Sequence, residues 1–315
     1  MFPSFGAVLG EPISAYFTLL LLGFALATVV VRRWAVRVGL DPASIVDCGL
    51  ASIVGGIAGG RLLHVLADGY FWDYVHLCTD PARVAWRITA AQCRLAEGVW
   101  DAAARVCHPA ARDCLAWAKF YQGGLAYYGG LVGGTWAVVH VARRDGLPLR
   151  KLVDAVAVGV ALGLFVGRIG CFLAGCCYGE VTTHAVGTRF PAWSPASEGQ
   201  FRAGLLAQPG LPSLPVHPTQ LYEALGCLAI TVVLGRWGLR RKRFDGQVAL
   251  VALVAYALLR SAIEVVRADD RGVFLGVSTS QWLSLAVVIA VVSLWRRWAR
   301  DARTHVAATA AADAH

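Results

Sequence analysis

The sequence predicts an all-α protein, a polytopic integral membrane bundle of about seven transmembrane helices with a periplasmic, cysteine-bearing insertion. Three observations carry that expectation. First, hydrophobic residues make up 57% of the 315-residue chain and charged residues only 16%, with a mean hydropathy of +0.57. A soluble domain of this length needs far less apolar surface. Second, several apolar stretches reach the roughly 20 residues a spanning helix requires. Third, the charges collect between those stretches. The net charge of +9 therefore reads as a topology signal, and no nucleic-acid partner is expected.

The spans fall near 13–31, 45–66, 124–142, 152–173, 219–235, 246–266 and 278–295. Glu11 and no Lys or Arg precede the first span, and no small-residue cleavage site follows it in register, so it is expected to remain as a helix. The connections after spans one, three, five and seven are basic. They hold Arg32, Arg33 and Arg37, then Arg143, Arg144, Arg150 and Lys151, then Arg236, Arg240, Arg241, Lys242 and Arg243, then Arg296, Arg297, Arg300 and Arg303. The positive-inside rule puts the C-terminus in the cytoplasm and the N-terminus outside, in a bacterial inner membrane. Seven spans agree with that parity. Residues 1–306 are expected to form one membrane domain, and the Ala-rich tail 307–315 to be disordered.

The outer connection, residues 67–123, carries Cys78, Cys93, Cys107 and Cys114. An even number of cysteines in a compartment that permits disulfides predicts two bridges, with the pairing open. Cys93 and Cys107 have a spacing that lets both face one side of a helical hairpin.

Ionisable residues interrupt the apolar spans. Arg61 lies in GGIAGGRLLHVL, Arg168 in LFVGRIGCFLAGCCYGE, and Arg260, Glu264 and Arg267 in YALLRSAIEVVRADD. An arginine near a bilayer centre costs roughly 2.5–3.5 kcal/mol on insertion scales, so such residues face a bundle interior or a wet cavity. Arg260 and Glu264 are one helical turn apart and can pair, with Tyr256 a turn earlier on the same face. Gly55, Gly56, Gly59 and Gly60, and Gly129, Gly130, Gly133 and Gly134, permit close helix approach. Packed helices with buried guanidinium forks suit an anionic lipid headgroup, because the fork matches phosphate. HPTQLYEA, from His217 to Ala224, opens span five, with Thr219 as a helix cap and His217 and Glu223 as titratable groups at the interface. Cys171, Cys176 and Cys177, with His184 nearby, match no strong zinc pattern, and neither metal nor cofactor is expected.

With these motifs the chain resembles the prolipoprotein diacylglyceryl transferase family across nearly all seven spans. The resemblance rests on Tyr16, GGR at 59–61, GGLAYYGGLVGG at 123–134, GRIGCFLAGCCYG at 167–179, HPTQLYEA, and Tyr256, Arg260, Glu264 and Arg267 with Ser280 and Gln281. It implies transfer of a diacylglyceryl group from phosphatidylglycerol to the lipobox cysteine of a prolipoprotein. Arg168 and Arg260 would then hold the headgroup and leaving phosphate, and Glu264 would orient Arg260. Tyr16, Arg61, Gly179, His217, Tyr222, Glu223 and Tyr256 would contact phosphatidylglycerol.

Three positions depart from the family pattern. Tyr128 stands where the family usually carries His, Cys171 where it carries Asn, and Cys176 where it carries Glu. Tyr128 is the candidate base, although a phenol, with an ordinary pKa of about 10, is a weaker base at neutral pH than an imidazole. The rival expectations are an altered paralogue that binds anionic lipid or lipoprotein precursor without transfer, and a thiol redox protein using Cys176 and Cys177. A transporter would be expected to show paired broken-helix repeats, and none is apparent.

Overall fold

A computed structural model of the chain describes residues 4–8, 11–67, 69–88, 90–120, 124–268 and 273–312. A hairpin of β1 (Ser4–Val8) and β2 (Glu11–Ser14) leads into α1 (Ala15–Arg37) and α2 (Pro42–Ala67). Then come α3 (Phe71–Thr79), α4 (Ala90–Leu95), a second hairpin of β3 (Val99–Asp101) and β4 (Val106–His108), and α5 (Tyr127–Arg144). The chain continues through α6 (Leu149–Ala174), α7 (Pro195–Arg202), α8 (Thr219–Arg241) and α9 (Gln247–Glu264). A two-residue ribbon, β5 (Val273–Phe274) and β6 (Val277–Ser278), precedes α10 (Thr279–Ala312).

Six helices among the described residues are long and apolar enough to cross a membrane: α1, α2, α6, α8, α9 and α10. The seventh expected span is also helical. At 18 residues α5 matches α9 in length, but its four glycines, two tyrosines and terminal Arg143 and Arg144 keep its apolar character below that of the others. The tail also differs from expectation. The α10 backbone stays helical to Ala312, so the Ala-rich segment extends the helix over 307–312, as its alanine content favours. Residues 313–315 of that tail, and Gly123 of the GGLAYYGGLVGG motif, lie outside the described residues.

The chain divides into two compact units, Met1–Ile45 with Leu147–His315, and Val46–Gly146. In the first, α1 lies along α6, α6 packs on α8 and α9, and α9 packs on α10. Glycines set the α1–α6 separation. A Cβ at Gly23 would meet the Gly163 carbonyl oxygen at 3.2 Å, and one at Gly170 would meet Tyr16 Cα at 3.4 Å. Close backbone approach of this kind replaces the hydrophobic driving force that lipid removes.

Asp154 of α6 is almost fully buried, and it caps α9 from a neighbouring helix. Its carboxylate accepts from Gly246 N (2.9 Å), Ala249 N (3.0 Å) and Lys242 Nζ (3.1 Å). The orphan amides at the start of α9 are thereby satisfied. Burial opposes the Lys242 charge, yet Asp245 and Asp154 outweigh it and hold the lysine pKa above its ordinary value.

The second unit is built on α2 and α5. A Cβ at Gly59 would collide with the Gly129 carbonyl oxygen and Gly133 Cα, and one at Gly55 with the Gly133 carbonyl oxygen. The insertion between these helices is closed by two disulfides, Cys78–Cys114 and Cys93–Cys107. Two bridges were expected; the pairing was not legible from spacing. Arg61, buried near the end of α2, fastens the insertion. It donates from Nε to Trp117 O (2.6 Å), from Nη2 to Ala116 O (2.6 Å) and from Nη1 to Gly124 O (3.0 Å). Its guanidinium also lies over the Tyr74 ring, 5.0 Å from the centroid.

Candidate functional site

Five helix ends of the first unit bring polar side chains together: the starts of α1, α8 and α10 and the ends of α6 and α9. Glu223 lies at the centre. It falls in the second turn of α8, and its side chain is fully buried. Its Oε1 pairs with Arg168 Nη2 at 2.8 Å and accepts from the Tyr256 hydroxyl at 2.9 Å. Its Oε2 faces Arg267 Nη1 across a looser 4.0 Å. One turn along α9 from Tyr256, Arg260 Nη2 pairs with Glu264 Oε2 at 2.5 Å and donates to Ser280 Oγ at 3.1 Å.

Among the described residues the cluster gathers three guanidiniums, Arg168, Arg260 and Arg267, and two carboxylates, Glu223 and Glu264. Arg260 Nη1 is buried and donates to no partner among the described residues. A buried donor left without an acceptor costs about 1–3 kcal/mol, more when charged. The arrangement therefore suits an additional anion.

The segment after α6 is what holds the cluster's floor. Gly175 ends α6 in the left-handed conformation, at φ 73°. Gly179 then pairs with Arg267, and Glu180 N donates to Val266 O at 2.9 Å. On the other side Gly179 N donates to His217 O, and His217 N to Glu180 O. A Cβ at Gly179 would meet Val266 O at 2.6 Å and His217 Cβ at 2.8 Å, so only glycine fits between these two segments. His217 Nδ1 lies 3.2 Å from the Tyr222 hydroxyl.

Thr219 does not cap α8 as expected. Pro218 is the N-cap residue and offers no side-chain acceptor. Thr219 instead donates to Cys177 O (2.7 Å), and Gln220 Nε2 donates to Cys176 O (2.6 Å). The HPTQ stretch thus clamps the turn that leaves α6. Tyr16, at the start of α1, lies against Gly170.

The expected residues Tyr16, Arg168, Gly179, His217, Tyr222, Glu223, Tyr256, Arg260 and Glu264 all belong to this end of the first unit. Arg61 and Tyr128 belong to the second unit, where Arg61 is committed to three backbone carbonyls and Tyr128 is 60% exposed. Gln220 and Arg267 were given no role from sequence. Their signal was present: Gln220 lies one turn before Glu223 on α8, and Arg267 is a second arginine in the Arg260 segment.

Fold and site together define a polytopic helical membrane protein whose buried arginine–carboxylate cluster sits at one end of its bundle. The family model for prolipoprotein diacylglyceryl transferase matches residues 5–297. A relative from Clostridium perfringens, named phosphatidylglycerol–prolipoprotein diacylglyceryl transferase 2, is 26% identical over 92% of this chain and 93% of its own length. One from Sinorhizobium medicae, named phosphatidylglycerol–prolipoprotein diacylglyceryl transferase, is 30% identical over 94% of this chain and 88% of its own length. Another of that name, from Neisseria meningitidis, is 35% identical over 54% of this chain and 63% of its own length. The chain belongs to the prolipoprotein diacylglyceryl transferase family and is a transferase.

Proposed function

We propose that the protein moves the diacylglyceryl group of phosphatidylglycerol to the lipobox cysteine thiol of a prolipoprotein, the first step of lipoprotein maturation. The carrying observation is Arg260 Nη1, buried and without an acceptor among the described residues, on a helix end whose neighbours supply Arg168 and Arg267. A lipid phosphate entering from the bilayer supplies the anion that this cluster accommodates. The substrate sulfur attacks the glycerol carbon bonded to phosphate oxygen. The carbon–sulfur bond forms as the carbon–oxygen bond breaks, the bond pair leaves on phosphate, and glycerol phosphate is released.

Arg168 and Arg260 stabilise the charge that develops on the leaving phosphate. Glu264 holds Arg260, and Glu223 holds Arg168 beside Tyr256. Tyr16, Arg61, Gly179, His217 and Tyr222 line or shape the path of the lipid headgroup, and Tyr128, as its phenolate, takes the thiol proton. The N-terminus lies outside and the C-terminus in the cytoplasm of the inner membrane. The basic connections and the disulfide-bonded insertion support that orientation.

A second reading is favoured by the Tyr128, Cys171 and Cys176 departures: a relative that binds anionic lipid or lipoprotein precursor without transfer. Expression in cells depleted of their own transferase separates the two. Restored diacylglyceryl modification, abolished by Arg168→Ala and by Arg260→Ala, is the expected result. No modified lipoprotein from the unaltered chain rules out transfer and leaves the binding role.

A further inference from the structure

Spacing alone does not present Cys171, Cys176 and Cys177 as a metal site, but the fold gathers them. The last turn of α6 carries Cys171. Gly175 reverses the chain, Cys176 N returns to Cys171 O at 3.2 Å, and Cys177 takes a left-handed conformation at φ 61°. The three sulfurs consequently lie within 4.8 Å of one another and are half-buried. The turn is also pinned from outside. Fully buried Gln220 and Thr219 hold the carbonyls of Cys176 and Cys177, and Gly179 is locked between His217 and Val266.

We infer that this turn is a three-thiolate site for a thiophilic d10 cation, monovalent copper first among them. Thiolate sulfur selects soft ions of this kind over magnesium, calcium or manganese. Metal–sulfur bonds of about 2.3 Å place three trigonal sulfurs about 4 Å apart, so the cluster has to contract by about 0.8 Å at most. No His, Asp or Glu joins the group among the described residues, which favours an ion content with three ligands. Three thiols lose their protons as the metal–sulfur bonds form. No electron is exchanged, so no oxidant is required. Cys48 and Cys227 are buried in α2 and α8 and are not members of the group.

The test is metal binding by the purified, detergent-solubilised chain under reducing, oxygen-free conditions that leave the two insertion disulfides intact. Copper(I) is titrated against a coloured competing chelator, and zinc is titrated in a parallel arm. One tightly held equivalent of either ion is expected, falling to none in Cys171→Ser/Cys176→Ser/Cys177→Ser and unchanged in Cys48→Ser/Cys227→Ser. X-ray absorption of the loaded wild-type chain is expected to show three sulfur neighbours. That measurement stands even if the triple variant folds poorly. Uptake of neither ion, uptake indifferent to the triple substitution, or an oxygen and nitrogen shell around the metal overturns the inference. So does a disulfide among these three cysteines in the protein as isolated. Neither lipid nor prolipoprotein enters the measurement, so its outcome is independent of the proposed transfer.

Discussion

Glu223 shows how much one buried carboxylate can organise. It is the shared partner of Arg168, Arg267 and Tyr256, contributed by a third segment of chain. Removing one partner of a buried ion pair costs about 3–5 kcal/mol, because the remaining charge is left uncompensated. Glu223→Ala is therefore expected to lower unfolding stability by about that amount and to abolish transfer. Glu223→Gln keeps an acceptor for the Tyr256 hydroxyl and is expected to retain the fold while transfer still falls. Thermal unfolding in detergent beside a transfer assay reads both; equal stability of the Ala variant and the unaltered chain would show that Glu223 carries no such weight. Tyr128→Phe asks about the proton. Turnover reduced at least tenfold is expected if the Tyr128 phenolate accepts it, and unchanged turnover removes Tyr128 from that role. At this scale the sequence was informative because ionisable side chains are costly in lipid: Arg168, Arg260 and Glu264 announced themselves by chemistry alone. Their partners did not. That Arg168 pairs with Glu223, 55 positions away, depends on which helices are neighbours, and no spacing rule encodes that.

At the scale of elements, glycine position separates packing from mere tolerance. Gly59 and Gly56 share the same motif on α2. A Cβ at Gly59 would strike the backbone of α5, whereas one at Gly56 would meet only the Gly130 carbonyl oxygen at an ordinary 3.6 Å. Gly59→Ala is thus expected to force α2 from α5 and to cost about 1–3 kcal/mol. Gly56→Ala is expected to be neutral or to stabilise by about 0.5–1 kcal/mol through helix propensity. Comparing the two variants by thermal unfolding checks the contact; equal effects would remove it. Asp154 gives the second case. Asp154→Ala strips an acceptor from two amides at the start of α9 and from Lys242, and is expected to cost about 2–4 kcal/mol. Helix existence was legible here because apolar runs of about 20 residues have few other solutions. Helix capping was not. Thr219 has the residue type of a cap, but its hydroxyl finds a better-placed acceptor in Cys177 O, supplied by a turn distant in sequence. The α9 cap likewise arrives from α6, beyond the reach of any local pattern.

The whole chain joins a bundle of long apolar helices to an insertion closed by two disulfides, and the two differ in what stabilises them. The first unit relies on long apolar helices, whereas the insertion of the second contains short elements that bury little on their own. That is why the cysteine count was readable as a framework while the insertion's elements were not: bridges substitute for a core. Arg61 and the Asp113–Lys119 pair add polar ties to the same region. The hydrogen bond from Lys119 holds the Asp113 carboxyl below the ordinary carboxylate range. A depressed folded pKa contributes stability above the unfolded value, about 3.9, and loses it as pH falls through the folded value. The insertion is therefore expected to loosen selectively below about pH 4, less so in Asp113→Asn. Reduction should act on the same region more strongly. Closing loops of 36 and 14 positions' separation restricts the unfolded insertion by roughly 4 and 3 kcal/mol in the chain-entropy account. Hydrogen exchange of the reduced chain is expected to rise across Phe71–Ala118, while amides of α6 and α9 keep their protection. Exchange that rises equally in α6 and α9 would mean that the insertion and the bundle unfold as one cooperative body, and that the bridges stabilise the entire chain.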